Sequence, residues 1–158
     1  MTEQQPVVDT GPIKQSTLVR SDLRHTFDVF VREIGRWWPT QPFSLGAERV
    51  TDVVFEPQLG GRVYETWDDG TEVTWGHVLV WEPPDRFRIT WEILPAVTEV
   101  DMVFRALGPA LTRVELTHDG WDKLTHQQIL AATTVEGGYR AGWERILATF
   151  ASAAAGDA

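Results

Sequence analysis

WGHVLVWEPPDRFRITWEI, residues 75–93, is the stretch on which the fold turns. Two runs rich in Val, Ile and Trp flank a Glu82-Pro83-Pro84-Asp85-Arg86 break. Proline cannot donate to a sheet ladder, so the pair belongs at a strand end or a turn. The stretch reads as two sheet strands joined by a rigid corner. Four of the eight tryptophans fall between Trp67 and Trp91. One strand pair cannot hide that much aromatic bulk, so another element must cover at least one face.

The period of two extends outward from this corner. Upstream, Val53 and Phe55 alternate before Pro57, and Leu59-Gly60-Gly61 is a turn. Residues 63–67 form a strand, and Asp68-Asp69-Gly70-Thr71 is the hairpin turn into residues 72–82. With Asp69-Gly70 as a two-residue loop, Glu65 lies opposite Thr74 and Tyr64 opposite Trp75. One face then holds Val63, Glu65, Trp67, Thr74, Gly76, Val78 and Val80. The other holds Tyr64, Val73, Trp75, Leu79 and Trp81. Both are partly apolar, so periodicity leaves the buried face open here. Downstream the alternation is cleaner: Phe87, Ile89, Trp91; then Val100, Met102, Phe104; then Val114, Leu116, His118.

At either end the period lengthens to that of a helix. Residues 13–20 form a first strand, after which Ser21 or Asp22 caps a helix. Its buried face is Phe27, Phe30, Val31 and Ile34. Gly35 weakens that helix, and Pro39 ends the Trp37-Trp38 segment. Past Trp121, residues 125–132 form a short helix, and Thr133-Thr134-Val135-Glu136 has capping-box spacing. Tyr139, Trp143, Ile146, Leu147 and Phe150 then share one helical face, the largest apolar stripe in the chain. This helix is the obvious cover for the sheet. The order is strand, helices, six strands, long helix: an α+β arrangement with an antiparallel sheet wrapped on a terminal helix. Residues 1–12 read as a loose arm, 13–150 as one domain and 151–158 as a frayed tail.

Composition narrows the function classes. The 158 residues are enough for one domain with a real core, and 42% apolar content makes the chain globular. A net charge of −9 argues against a nucleic-acid footprint and against docking on an anionic membrane. With no cysteine there is neither a disulfide framework nor a thiolate metal site, which is compatible with a cytoplasmic protein. The N-terminus has no secretory pattern, and no apolar run reaches the length of a membrane span. His118, Asp122 and His126 are loosely spaced across a turn, and no His-x-His or HExxH pattern occurs, so no metal is expected. No nucleophile elbow, P-loop or dinucleotide fingerprint is present, and no cofactor is expected.

Five segments carry a family likeness: FDVFVREIGRWWP (27–39), EPQLGGRVYE (56–65), DGTEVTWGHVLVWEPPDRFRITW (69–91), TRVELTHDGW (112–121) and GWERIL (142–147). In this order they resemble the homologues of the activator of heat-shock protein 90 ATPase. That family lies within the START-like helix-grip superfamily, also called Bet v 1-like or SRPBCC. The resemblance covers roughly residues 13–150. It implies a curved antiparallel sheet of about seven strands gripping a long C-terminal helix, with two short helices after the first strand. It also implies a hydrophobic cavity between sheet and helix, with Val63, Glu65, Gly76 and Val78 facing inward. The eukaryotic activator carries an additional N-terminal domain that engages the chaperone. Only about a dozen residues precede the first strand here, so chaperone activation is not expected.

The candidate cavity residues are Trp37, Trp38, Phe55, Val63, Glu65, Val78, Ile89, Trp91, Met102, Phe104, Leu116, His118, Tyr139, Trp143 and Leu147. A cavity lining and a packed core use the same residue types, so each has the alternative reading of plain core. Glu65 is either a polar anchor, an acid–base group, or a carboxylate paired with an arginine or with Tyr139. His118 either bonds a ligand or is a satisfied core histidine. His77 faces outward. Trp37, Trp38 and Phe43, around Pro39 and Pro42, form either a lip over the cavity or a cap on the core edge. Gly137, Gly138 and Gly142 leave space for a ligand, allow close packing, or mark a helix that starts only after Gly138. Outward Tyr64, Trp75, Leu79 and Trp81 form either a homodimer interface or a patch covered by neighbouring aliphatic arms.

Three functions are open on this reading. The first is a binder of a small hydrophobic molecule. The second is a cyclase- or dehydratase-like enzyme using Glu65, His118 and Tyr139. The third is a stress-response or chaperone-associated interaction module.

Overall fold

Alternation and capping translate directly into elements. The computed structural model describes residues 10–133 and 136–155. Most of the expected N-terminal arm, the middle of the expected capping box at residues 134–135, and the last three residues lie outside it. In chain order come β1 (Ile13–Val19), α1 (Leu23–Arg32), α2 (Ile34–Trp37), α3 (Thr40–Phe43), β2 (Val50–Phe55), β3 (Arg62–Trp67) and β4 (Glu72–Glu82). They are followed by β5 (Arg86–Trp91), β6 (Thr98–Gly108), β7 (Leu111–Asp119), α4 (His126–Leu130) and α5 (Gly138–Ala154). The strands form one antiparallel sheet in the order β1-β7-β6-β5-β4-β3-β2. This is the expected helix-grip α+β fold, with three short helices after β1 instead of two.

Local chemistry explains the helix ends. Asp22 caps α1 by accepting from the His25 amide at 2.8 Å, satisfying a donor that has no partner within the helix. Thr125 and Gln128 form a reciprocal capping box on α4, a motif missed in the sequence. Gly137 and Gly138 have φ of +88° and +72°, a region L side chains avoid, so the long helix begins at this pair. It continues through the buried Ala154, so residues 151–154 of the expected frayed tail are helical. Trp143, Ile146, Leu147 and Phe150 are buried along α5, and each such burial contributes roughly 1.5–3 kcal/mol. The covering role expected of this helix is therefore met.

The hairpin between β3 and β4 corrects the expected faces. Its turn has three residues: the Gly70 amide donates to the Trp67 carbonyl, and the Trp67 amide to the Thr71 carbonyl. Glu65 therefore pairs with Val73, not Thr74. The register then shifts, because Tyr64 pairs with Thr74 but Val63 pairs with Gly76. Trp75 is the extra residue, a β-bulge that turns its side chain inward. A second shift, at Leu79, brings Trp81 opposite Phe87 and Val80 opposite Arg88. Trp75 is 1% exposed, and Trp81 packs on Phe27 at 5.5 Å. Thr74 and Val80, placed inward by strict alternation, face out with Tyr64 and Arg88.

The expected four-residue dimer patch therefore does not exist. Tyr64 is covered by the Arg62 guanidinium at 4.1 Å, and Leu79 stands exposed without the two tryptophans. The outer face is dominated by charge instead. Arg88 binds Glu99, Asp101 and Asp119, and Arg86 makes a two-pronged contact with Asp101. Burial opposes the charge on Arg88, but its bonds to Glu99 and Asp119 outweigh this and raise its pKa.

Candidate functional site

The inner face of the sheet and α5 enclose an aromatic interior of two parts. At its centre Phe27, Phe30, Phe55, Phe87, Phe104 and Phe150 pack ring on ring, with centroids 4.9–6.2 Å apart. A void of only about 20 Å³ remains there, bounded in part by Phe55, Val63, Ile89, Met102 and Leu116. That is about the room of one water. A larger cavity of about 160 Å³ lies beyond it, between the α3 segment, the end of β5 and α5. Trp38, Trp91 and Trp143 border both spaces.

Chain segments that carry no periodic signal complete the larger cavity. Phe43 ends α3 and Ser44 and Leu45 follow it, Ile93 and Leu94 follow β5, and Ala132 and Thr133 follow α4. Tyr139, Gly142, Trp143 and Ile146 come from α5. Gly142 matters here because a Cβ would lie 3.3 Å from the Phe43 ring, so glycine lets helix and segment approach closely. No charged residue lines the cavity among those described.

Of the fifteen residues expected to line a cavity, the structure brings Trp38, Trp91, Tyr139 and Trp143 to the larger space. Phe55, Val63, Ile89, Met102 and Leu116 border the small one. Trp37, Val78, Phe104 and Leu147 are buried in packed core. Trp37 is tied down by its indole N–H, which donates to the Val29 carbonyl at 3.0 Å. Glu65 and His118 line neither space and serve as supports behind it.

Glu65 is fully buried, and its partners are neither an arginine nor Tyr139. Four N–H groups surround its carboxylate. Trp75 Nε1 (2.8 Å) and the Leu45 amide (3.1 Å) donate to Oε1. Trp67 Nε1 (2.7 Å) and the Gly46 amide (2.8 Å) donate to Oε2. An ionised carboxylate offers about four acceptor positions, and all are taken. The sheet thus grips the 44–46 segment, whose Ser44 and Leu45 form one cavity wall. The Trp67-x-Glu65 spacing was visible in the sequence, but the two amides were not.

His118 is a satisfied core histidine. The Trp143 indole N–H can only donate, and it donates to Nδ1 at 3.0 Å. The proton therefore sits on Nε2, 2.7 Å from Thr98 Oγ1. Burial pushes the His118 pKa down to about 3, so the ring is neutral near pH 7. Its role is to fix the Trp143 indole that borders the cavity. Tyr139 accepts from Trp91 Nε1 at 3.2 Å, which ties the end of β5 to the first turn of α5. Burial pushes the Tyr139 pKa up, against the opposing Trp91 hydrogen bond, so the phenol stays protonated. His77 faces out and bonds Glu92 at 2.7 Å. No group of His, Asp and Glu suited to a metal ion occurs among the described residues.

A family model described as Activator of Hsp90 ATPase homolog 1-like protein matches residues 24–155. Among solved structures, the chain is similar to an anthrahydroquino-gamma-pyrone synthase, Txn09, complexed with SUM. Identity is 31%, over 90% of this chain and 96% of that one, with a TM-score of 0.61. It is also similar to CalC from Micromonospora echinospora, a self-sacrificing resistance protein. Identity there is 28%, over 92% of this chain and 94% of that one, with a TM-score of 0.66. CalU16 from the same organism shares the fold at 20% identity, over 93% of this chain and 76% of that one, with a TM-score of 0.61. No curated protein matches the chain. No helix among the described residues is long and apolar enough to cross a membrane.

Proposed function

The chain belongs to the Activator of Hsp90 ATPase homolog 1-like family, and on that premise we propose that it binds a small aromatic molecule. The binding place is the cavity of about 160 Å³ between the 43–45 segment, β5 and α5. One observation carries this reading. The lining is aromatic and aliphatic, holds no charge among the described residues, and is built around three tryptophans and a tyrosine. Apolar cavities of about 150 Å³ take up benzene, so the enclosed volume suits one or two fused rings. Exposed Leu45 and half-buried Leu94 on the rim allow a longer ligand to extend outward.

The test is a thermal-shift and native mass-spectrometry screen with one- to three-ring aromatic compounds. A stabilising compound is expected, and Ala132→Trp, which fills the cavity from its rim, should abolish the shift. If no compound stabilises the protein, or Ala132→Trp leaves the shift unchanged, the reading fails.

A second reading is catalysis on the bound molecule. The 31% identity to a synthase and the Tyr139 hydroxyl on the cavity wall favour it. Recovery of the bound compound unchanged supports simple binding. Conversion that disappears in Tyr139→Phe supports catalysis.

A further inference from the structure

The cavity has a neighbour. An open groove of about 400 Å³ runs between β1, α4 and the start of α5. Ile13, Trp121, Ile129 and Leu130 line it, together with residues 137–140. Among the described residues, Thr133 and Tyr139 line both this groove and the cavity of about 160 Å³, and no others do. The two spaces differ in kind. Arg140 lines the groove and Leu130 there is 65% exposed, whereas no charged residue lines the cavity among those described.

The contacts of Tyr139 reach to both sides. Its hydroxyl oxygen accepts from Nε1 of Trp91, which lines the cavity and not the groove. Its ring meets Trp121, which lines the groove and not the cavity, with centroids 5.0 Å apart. His118 packs against all three rings, at 5.9 Å from Trp91, 4.6 Å from Trp121 and 5.6 Å from Tyr139.

We infer that Tyr139 is the residue that sets how far a ligand reaches: its ring closes the cavity against the groove. A bound aromatic molecule stops there and extends only toward the rim at Leu45 and Leu94. This deepens the binding reading above and rests on it. The wall is firm because Tyr139 is held at both ends. It sits in the first turn of α5, directly after the Gly137-Gly138 pair that starts the helix. At its tip, moving the ring aside breaks the bond to Trp91 and leaves a buried indole N–H without its acceptor, which is costly. Forcing a ring against a packed wall is also unfavourable. The selected class is therefore a molecule whose one- or two-ring end fits whole, any third ring lying outside over Leu45 and Leu94.

Two neutral probes test this, 2-naphthol and its rigid three-ring extension 6-phenyl-2-naphthol. Isotope-filtered NOEs place the bound probe, and calorimetry gives the affinities. In the wild-type protein both probes should show NOEs to Trp91 and Trp143, and neither to Ile129 or Trp121. In Tyr139→Ala the longer probe should gain NOEs to Ile129 and Trp121. Its affinity relative to 2-naphthol should rise about tenfold, since a further ring is buried. The ratio cancels the cost of the orphaned Trp91 N–H, which both probes share. Tyr139→Phe keeps the ring and should keep the wild-type pattern. Tyr139→Leu should shift it in the direction of Ala and serves if Tyr139→Ala does not fold. The inference is overturned, with the binding reading left standing, by wild-type NOEs from one bound probe to both Trp143 and Ile129. It is equally overturned if Tyr139→Phe behaves as Tyr139→Ala, or if neither small variant admits the longer probe to the groove. Failure of both probes to bind the wild-type protein overturns the inference together with the binding reading.

Discussion

Replacing Glu65 tests whether one buried carboxylate positions the cavity wall. Its oxygens accept four N–H bonds, two from indoles and two from the backbone of the 45–46 segment. In Glu65→Gln, the amide NH₂ takes the place of one oxygen and faces two donors. Whichever oxygen is replaced, one donor from the buried pair of Gly46 and Trp75 loses its acceptor. Each buried orphan costs about 1–3 kcal/mol, and the Leu45 and Trp67 donors, partly open to water, cost less. Removing a buried charge recovers part of this. A loss of about 2–3 kcal/mol is expected for Glu65→Gln, and roughly 2–6 kcal/mol for Glu65→Ala, which orphans both buried donors. Urea unfolding measures the loss, and amide hydrogen exchange at Leu45 and Gly46 locates it. Exchange there should accelerate more than at the centre of β6. Trp67→Phe removes a single donor and should cost about 1 kcal/mol, so the series stays readable if Glu65→Ala does not fold. A Glu65→Gln protein within about 0.5 kcal/mol of wild type, with unchanged exchange at Leu45 and Gly46, would refute the positioning argument.

Three further outcomes follow from the same geometry. Gly76→Ala should destabilise by about 1–3 kcal/mol or more in urea unfolding, because its Cβ runs into the Thr90 carbonyl oxygen of the neighbouring strand; a neutral substitution there would contradict the β4–β5 packing. His118 binds a proton in the unfolded chain near pH 6.5 but in the fold only near 3, so its contribution to stability falls on acidification across that window by about 1.4 kcal/mol per pH unit. His118→Gln should flatten the stability profile between pH 6.5 and 4, and an NMR titration midpoint for His118 above 5 would contradict its burial. Arg88→Met leaves Glu99 and Asp119 facing each other without their shared cation; a loss of about 1–2 kcal/mol is expected, shrinking in high salt, and a salt-independent loss would point to packing instead.

Legibility in the sequence followed the regularity of the backbone. On β5, β6 and β7 the inner faces were readable residue by residue. Phe87, Ile89 and Trp91, then Val100, Met102 and Phe104, then Val114, Leu116 and His118 are all buried as their alternation implies. The pairing of these strands stays in register across those residues. Strand β4 departed twice from strict alternation. One extra residue at Trp75 and another at Leu79 put two tryptophans inside that a period of two puts outside. The candidate site was legible only in part. Tryptophans 38, 91 and 143 and Tyr139 stand out by residue type, whereas Ser44, Ile93, Leu94 and Thr133 sit in connecting segments with no periodic signal.

The order of elements, the α+β class and the covering helix were therefore determined by sequence alone, because each rests on local patterning and short-range stereochemistry. Tertiary structure decided the rest. A bulge is chosen by which side chains fit across the sheet, since alternation is blind to an inserted residue. The acceptors of Glu65 find donors some twenty residues back in the chain, in the 45–46 segment, brought close only by folding. The cavity is what remains when helix and sheet are held apart by Trp38, Trp91 and Trp143, and a remainder of volumes is a property of the assembled fold that no single stretch of chain encodes.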